Sequence, residues 1–186
     1  MMLTKLKNAT EDLHREIEKD NLAALIISNK ISLEEYKLLL LQNYIAYSVT
    51  EPAIAKHLDH YKIQKSPRLL RDMDHLGVIC TPNPKLREMF RIINRAEALG
   101  AAYVVEGSAL GGMMISKQIP NCPGLAEIPE HHFFNGDREN VKSWNAFSKF
   151  IKTQDFTALE EIQAIDKAKE TFIFFGDVFK STKLAS

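Results

Sequence analysis

Gly100-Ala-Ala-Tyr-Val-Val-Glu-Gly107-Ser-Ala-Leu-Gly111-Gly112 sets four glycines into a stretch that otherwise reads as helix. Glycine costs about 1 kcal/mol relative to alanine in a helix interior, so a helix that keeps all four is weakened by several kcal/mol unless something offsets the loss. Gly107 and Gly111 stand one turn apart on one face. Without side chains there, either a flat ligand or a second helix can approach the backbone closely. Both readings are open from this segment alone.

The sequence on either side is helical too. Leu6, Ala9, Leu13 and Ile17 recur at three and four, which predicts an amphipathic helix over the first eighteen residues. Ser32 with Glu35 forms a capping box, and the apolar-rich run 33–60 predicts a long helix interrupted near Pro52. Ser66 and Pro67 read as an N-cap and first-turn proline, and Asn83 with Pro84 repeats that signal, opening a helix expected to run to about Gln118. Pro120, Pro123, Gly124 and Pro129 break the pattern. Asp137 then caps a helix through Lys152, and Thr157 with Glu160 forms a second capping box before a last helix with apolar residues from Leu159 to Phe179. Nothing alternates at period two. The expected fold class is all-α, six to eight helices with short connections.

Length and composition set bounds on function. The chain has 186 residues, 45% of them hydrophobic and 26% charged, with no linker-like, repetitive or low-complexity stretch, so one globular domain over residues 1–186 is expected. Its 24 basic and 24 acidic side chains cancel, which gives no electrostatic footprint for nucleic acid. Cys80 and Cys122 are far apart and lack CxxC spacing, so neither a disulfide framework nor a zinc site is expected. Met1 to Lys7 lacks the apolar centre of a signal peptide, and no membrane-spanning run is expected. A cytoplasmic, monomeric protein is the default expectation.

At about 100° per residue, Lys7, His14 and Glu18 fall within about 40° of one another beside the apolar stripe of the first helix. His14 and Glu18 are four apart, so the carboxylate can orient the imidazole through one nitrogen while the other binds a metal. Taken alone, these residues fit an ordinary charged helix face more simply, and a role for His14 needs support elsewhere in the chain. His57 and His60 lack a carboxylate pair, His131 and His132 are adjacent in a Pro-rich loop, and His75 stands alone. No GxSxG, phosphate loop or HExxH is present. Phe172, Phe174, Phe175 and Phe179 form an aromatic group that suits a core, a cofactor wall, or both.

Taken together, Leu6 to Thr10 with His14 and Glu18, and Tyr103 through Gly112, resemble the two diagnostic segments of heme oxygenases, in the same order. Phe133-Phe134-Asn135-Gly136 followed by Trp144 and Phe147 is similar to bacterial members. The resemblance implies a helical bundle holding heme between the first helix and a glycine-kinked distal helix, with His14 as the axial iron ligand, oriented by Glu18. It places Lys7 near a propionate, Thr10, Tyr103 and Gly112 at the pocket, and Phe172 and Phe179 in its wall. Gly107 and Gly111 would keep side chains away from bound O2, and Ser108 would hold water where many members carry aspartate. Val105 and Glu106 stand where a better-known branch has arginine and tyrosine. The implied reaction is cleavage of heme, both substrate and cofactor, to biliverdin, CO and iron, with electrons from NADPH through a reductase or from a ferredoxin, and a bilin acceptor as a further partner. A non-catalytic heme carrier or sensor on the same fold, and a helical protein without heme, such as a thiamine-metabolism enzyme of similar architecture, are the alternatives.

Overall fold

Apolar stripes and caps translate into helices in the computed structural model, which describes residues 1–19, 21–81 and 83–184. The helices are α1 (Met2–Lys19), α2 (Ala23–Ile27), α3 (Leu33–Ala55), α4 (Lys65–His75), α5 (Pro84–Met89), α6 (Arg95–Gln118), α7 (Glu139–Lys152) and α8 (Ala158–Ser181), with short 3-10 turns at Ile119–Asn121 and Pro123–Leu125. No strand occurs among the described residues. Both capping boxes form, Ser32 with Glu35 at α3 and Thr157 with Glu160 at α8.

Four local features depart from the sequence reading. Pro52 lies inside α3 without ending it, because buried side chains on both flanks hold the helix together across the missing donor. The helix expected from Asn83 to Gln118 is two helices: Asn83 caps α5, the chain extends at Phe90, and Asn94 caps α6 by accepting from the Glu97 N–H at 2.9 Å. Buried Phe90 and Ile92 in the connection kept the apolar pattern continuous and hid the break. Ser66 is not the N-cap of α4. The helix begins two residues earlier than a Ser66 cap would set it, and the amides of Gln64, Lys65 and Ser66 are accepted by the carboxylate of Glu51, on α3, at 2.8 to 3.0 Å. Asp137 does accept an α7 amide, that of Glu139 at 3.0 Å, although the helix starts after Arg138.

The core is built around α8, on which both α6 and α1 pack, while α7 lies against α6 and α1 and α4 lies on α3. Small residues make the α6–α8 contact possible: Ala98, Gly100, Ala101 and Ala102 on α6 and Ala164 and Ala168 on α8 are all buried, and Gly100 meets Ala164. A Cβ on Gly100 would overlap the Ala164 carbonyl. Around this seam Leu6, Leu39, Leu40, Leu69 and Leu99 are fully buried, each contributing about 1.5–3 kcal/mol by leaving water. The segment Arg95–Asn121 is, against the sequence expectation, long and apolar enough by composition to cross a bilayer, with mean hydropathy 1.4. Half of that window is buried inside the bundle, where core packing accounts for its composition.

Candidate functional site

α1 and α6 meet at Thr10 and Tyr103. Thr10 is buried and its hydroxyl donates to the Leu6 carbonyl at 2.8 Å. Burial raises the Tyr103 phenol above its ordinary value, while the facing Thr10 hydroxyl pulls the other way. Beyond this contact each helix carries an exposed strip.

On α1 the strip begins one turn further on with His14. Its side chain is 55% exposed, Nδ1 lies 3.6 Å from Glu18 Oε2, and its ring meets Phe172 of α8 edge-on, centroids 5.7 Å apart. At 3.6 Å the carboxylate is near but not hydrogen-bonded. Nε2 makes no hydrogen bond among the described residues. Phe179 lies two turns beyond Phe172 on the same face of α8 and stacks edge-on with Phe175 at 5.9 Å. Lys7 is exposed, two turns before His14, and pairs with no carboxylate among the described residues.

On α6 the glycines separate into two kinds. Gly100 is the helix crossing. A Cβ on Gly111 or Gly112 would meet nothing within 4 Å, and on Gly107 only the Trp144 ring at 3.7 Å. Leu110 and Met114, on the same stripe as Gly107 and Gly111, are 53% and 65% exposed. Trp144 stacks between Tyr103 and Phe147, giving the strip an aromatic edge. An exposed imidazole on one helix, bare backbone with apolar neighbours on the other and aromatic side chains around them fit a flat, apolar ring carrying one metal ion.

Ser108 is exposed on this side of α6. Its oxygen accepts from the Tyr47 hydroxyl at 2.9 Å, and its own proton goes to the Val105 carbonyl at 2.8 Å. Burial pushes the Tyr47 phenol well above its ordinary range, so it acts here as a donor. Behind Ser108 lies a buried polar cluster absent from the sequence reading: Lys65 Nζ sits 3.1 Å from Glu106 Oε1, to which the Tyr61 hydroxyl also donates at 3.0 Å. The available signal was Glu106, a lone carboxylate between Val104, Val105 and Gly107 in an apolar run. Lys65 gave none.

The loop that follows the 3-10 turns closes over this cluster. Asp72 accepts the backbone amides of His132 and Phe133 at 2.7 and 2.8 Å, and His131 Nδ1 lies 2.7 Å from the Tyr36 hydroxyl. Burial lowers the His131 imidazole below its ordinary value, with the Asp72 charge opposing and His132 assisting. His75, isolated in sequence, stacks on His132 at 5.4 Å. No group of three metal-binding side chains forms among the described residues. Between loop and helix is a cavity of about 20 Å³ touching Lys65, Ser108, Gly112, Phe133 and Asn140. The larger groove, about 520 Å³, lies elsewhere, between α3 and residues 87–93, and touches none of the candidate residues.

Comparison with known proteins gives one family. The sequence model described as heme oxygenase matches residues 1–181. A heme oxygenase of Xanthomonas campestris pv. campestris is 29% identical over 106 aligned positions, which cover 50% of this chain and 63% of that protein, less than two thirds of its length. Among solved structures, the NO- and CO-bound heme oxygenase of Neisseria meningitidis aligns with TM-score 0.71 and 19% identity, over 100% of this chain and 96% of that one. The Leptospira interrogans enzyme gives 0.71 and 15%, over 97% and 99%. Heme oxygenase-1 of the cyanobacterium Synechocystis sp., solved in complex with heme, gives 0.68 and 14%, over 96% and 90%. These structures share the helical fold.

Proposed function

The chain belongs to the heme oxygenase family, and from that premise we propose that residues 1–186 act as one domain that cleaves heme to biliverdin, CO and ferrous iron. The observation that carries this reading is the open strip at Gly107, Gly111 and Gly112, where the helix gives up side chains without gaining a packing partner for the last two. A helix crossing would have filled that space, as it does at Gly100.

Bound heme supplies the iron that reduces O2 and the ring that is opened. The protein's part is to hold and shield it. His14 would hold the heme iron through Nε2, with Glu18 close enough to bias the imidazole through Nδ1 and Phe172 limiting its rotation. Lys7 offers a cation to a propionate. Tyr103 and Thr10 close one end of the cleft, and Phe172 with Phe179 form apolar wall. Gly107 and Gly111 keep this face of the helix free of side-chain bulk, which would let a flat ring approach the backbone. Ser108 holds a hydroxyl at that face, supported by Tyr47.

Electrons come from NADPH through a reductase or from a ferredoxin, and the bilin passes to an acceptor. The protein works as a cytoplasmic monomer. One observation favours the non-catalytic carrier reading: Ser108 spends its only proton on Val105. A single experiment separates the readings. Anaerobic titration with heme should give a Soret band; ascorbate and air should then remove it as red bilin absorption grows. A Soret band that persists unchanged makes the protein a carrier, and no Soret shift at all rejects heme binding.

A further inference from the structure

The Lys65–Glu106 pair is a costly thing to bury. Lys65 is 2% exposed and Glu106 4%, and removing two charges from water costs several kcal/mol per ion before their attraction offsets any of it. Such a pair is weak evidence for stability, so another use should be sought. The backbone of Lys65 is fixed by Glu51, which accepts its amide at 2.9 Å, and its ammonium is fixed by Glu106.

An ammonium has three N–H donors and no acceptor. One goes to Glu106, and Lys65 also borders the cavity of about 20 Å³ that reaches Ser108. That volume suffices for one water molecule. Asn140 borders the same cavity, and its Oδ1 is buried without a hydrogen-bond partner among the described residues. The cavity therefore joins a donor-only cation, an unsatisfied buried acceptor and the hydroxyl of Ser108.

We infer that Lys65 is a positioning residue for proton delivery, holding a water in this cavity with its oxygen toward Nζ and its hydrogens toward Asn140 and Ser108. A carboxylate in the position of Ser108 would draw a hydrogen of such a water in the same direction, because it only accepts. Here the donor behind the water fixes that direction in place of a carboxylate's charge, and Ser108 acts as a relay, releasing the proton it holds on the Val105 carbonyl as it accepts one from the water. When the water passes a proton to Ser108 Oγ and Ser108 releases its own toward the open face of α6, the remaining hydroxide is stabilised by the Lys65 cation. It regains a proton from solvent at the cavity rim, beside Asp137. No protein group changes its charge overall. The charged and titratable neighbours of this path are Glu51 and Tyr47 on α3, Tyr61 before α4, Arg68 on α4, which pairs with Asp137 at 3.2 Å, Glu106 on α6 and Asp137 before α7.

This inference rests on the heme-cleaving reading, and two measurements test them apart. A high-resolution crystal structure of the heme-free protein should show a water within hydrogen-bond distance of Lys65 Nζ and Asn140 Oδ1; a dry cavity overturns the proposal. The double variant Lys65→Met with Glu106→Gln leaves no buried unpaired charge and keeps an acceptor for Tyr61. It should bind heme with parental affinity and Soret position but form bilin about 10- to 100-fold more slowly, with a larger D2O solvent isotope effect. Bilin formation at the parental rate rejects the role of Lys65. If the parent itself binds heme and never yields bilin, the proposed function falls, and the crystal structure still decides whether the water site exists.

Discussion

Gly100 and Gly111 occupy the same helix and are the same residue, yet the first is pressed against the Ala164 carbonyl and the second has nothing within 4 Å of where its Cβ would be. The N-terminal half of α6 is core. Its residues from Ala96 to Glu106 are nearly all buried, whereas Ser108, Leu110, Gly111 and Met114 are exposed. One half thus uses small residues to bring two helices together, and the other uses them to leave a surface bare. Glycine in a helix does not by itself report function; what surrounds it does.

The sharpest way to break this comparison is to make one substitution at both positions. Gly100→Leu forces a branched side chain into backbone and should cost about 3 kcal/mol or more, abolishing the folded state or lowering the Tm steeply. Gly111→Leu should leave the heme-free Tm at or slightly above parent, since helix propensity improves by about 0.8–1 kcal/mol, while bilin formation is blocked. Thermal melts of both variants and a heme turnover assay of the second check this. A destabilised Gly111→Leu with full bilin yield would return both ends of α6 to simple packing.

The next test removes the partner of the open half. His14 is more than half exposed, so His14→Ala should leave the folding stability within about 0.5 kcal/mol of parent. Bilin formation should collapse, with partial rescue by added imidazole. Glu18→Ala should be milder, toward the lower end of the roughly 10- to 100-fold loss typical of an orienting partner, because the 3.6 Å separation is too long for a strong bond. Equal losses for both variants in a steady-state assay would mean that Glu18 does more than orient.

The smallest effect concerns the loop over the open half. Burial keeps the His131 imidazole below its ordinary value of 6.5, so between that value and its lower folded one the unfolded chain binds more protons than the folded chain. Stability should therefore be fully present above about pH 6.5 and decline as the pH falls below it. Protonation also turns Nδ1 into a donor, so the Tyr36 hydroxyl can no longer donate to it. The Tm measured from about pH 7 to about pH 5 should fall less in His131→Gln, whose amide accepts from Tyr36 without titrating. Parallel curves for variant and parent would remove His131 from the account.

The elements legible in the sequence are those fixed by neighbours a few residues apart. Ser32 with Glu35 and Thr157 with Glu160 are complete within one turn, and α3 and α8 begin where those pairs say. The period of Leu6, Leu13 and Ile17 likewise gave α1 and put His14 on its flank. What could not be read is set across the fold. Buried Phe90 and Ile92 look like helix in a periodicity count, and only Asn94 turning back on Glu97 shows the break. Nothing in the sequence says which glycine will meet Ala164. Lys65 and Glu106 are 41 positions apart, and neither announces the other.

The Glu51 carboxylate, placed at the start of α4 by a different helix, bears on the order in which the chain assembles. Helices capped by their own residues, such as α3 and α8, carry their start signal into the unfolded chain. α4 does not: of its first amides, those of Gln64, Lys65 and Ser66 find their acceptor only once α3 has docked. Its eleven residues are too few to hold a helix in isolation. α4 is therefore a late, dependent element that forms and melts with α3. Native-state hydrogen exchange should show the amides of Lys65 and Ser66 opening together with those of α3 and not by separate fraying, so the Lys65 ammonium and the helix that carries it share one cooperative unit.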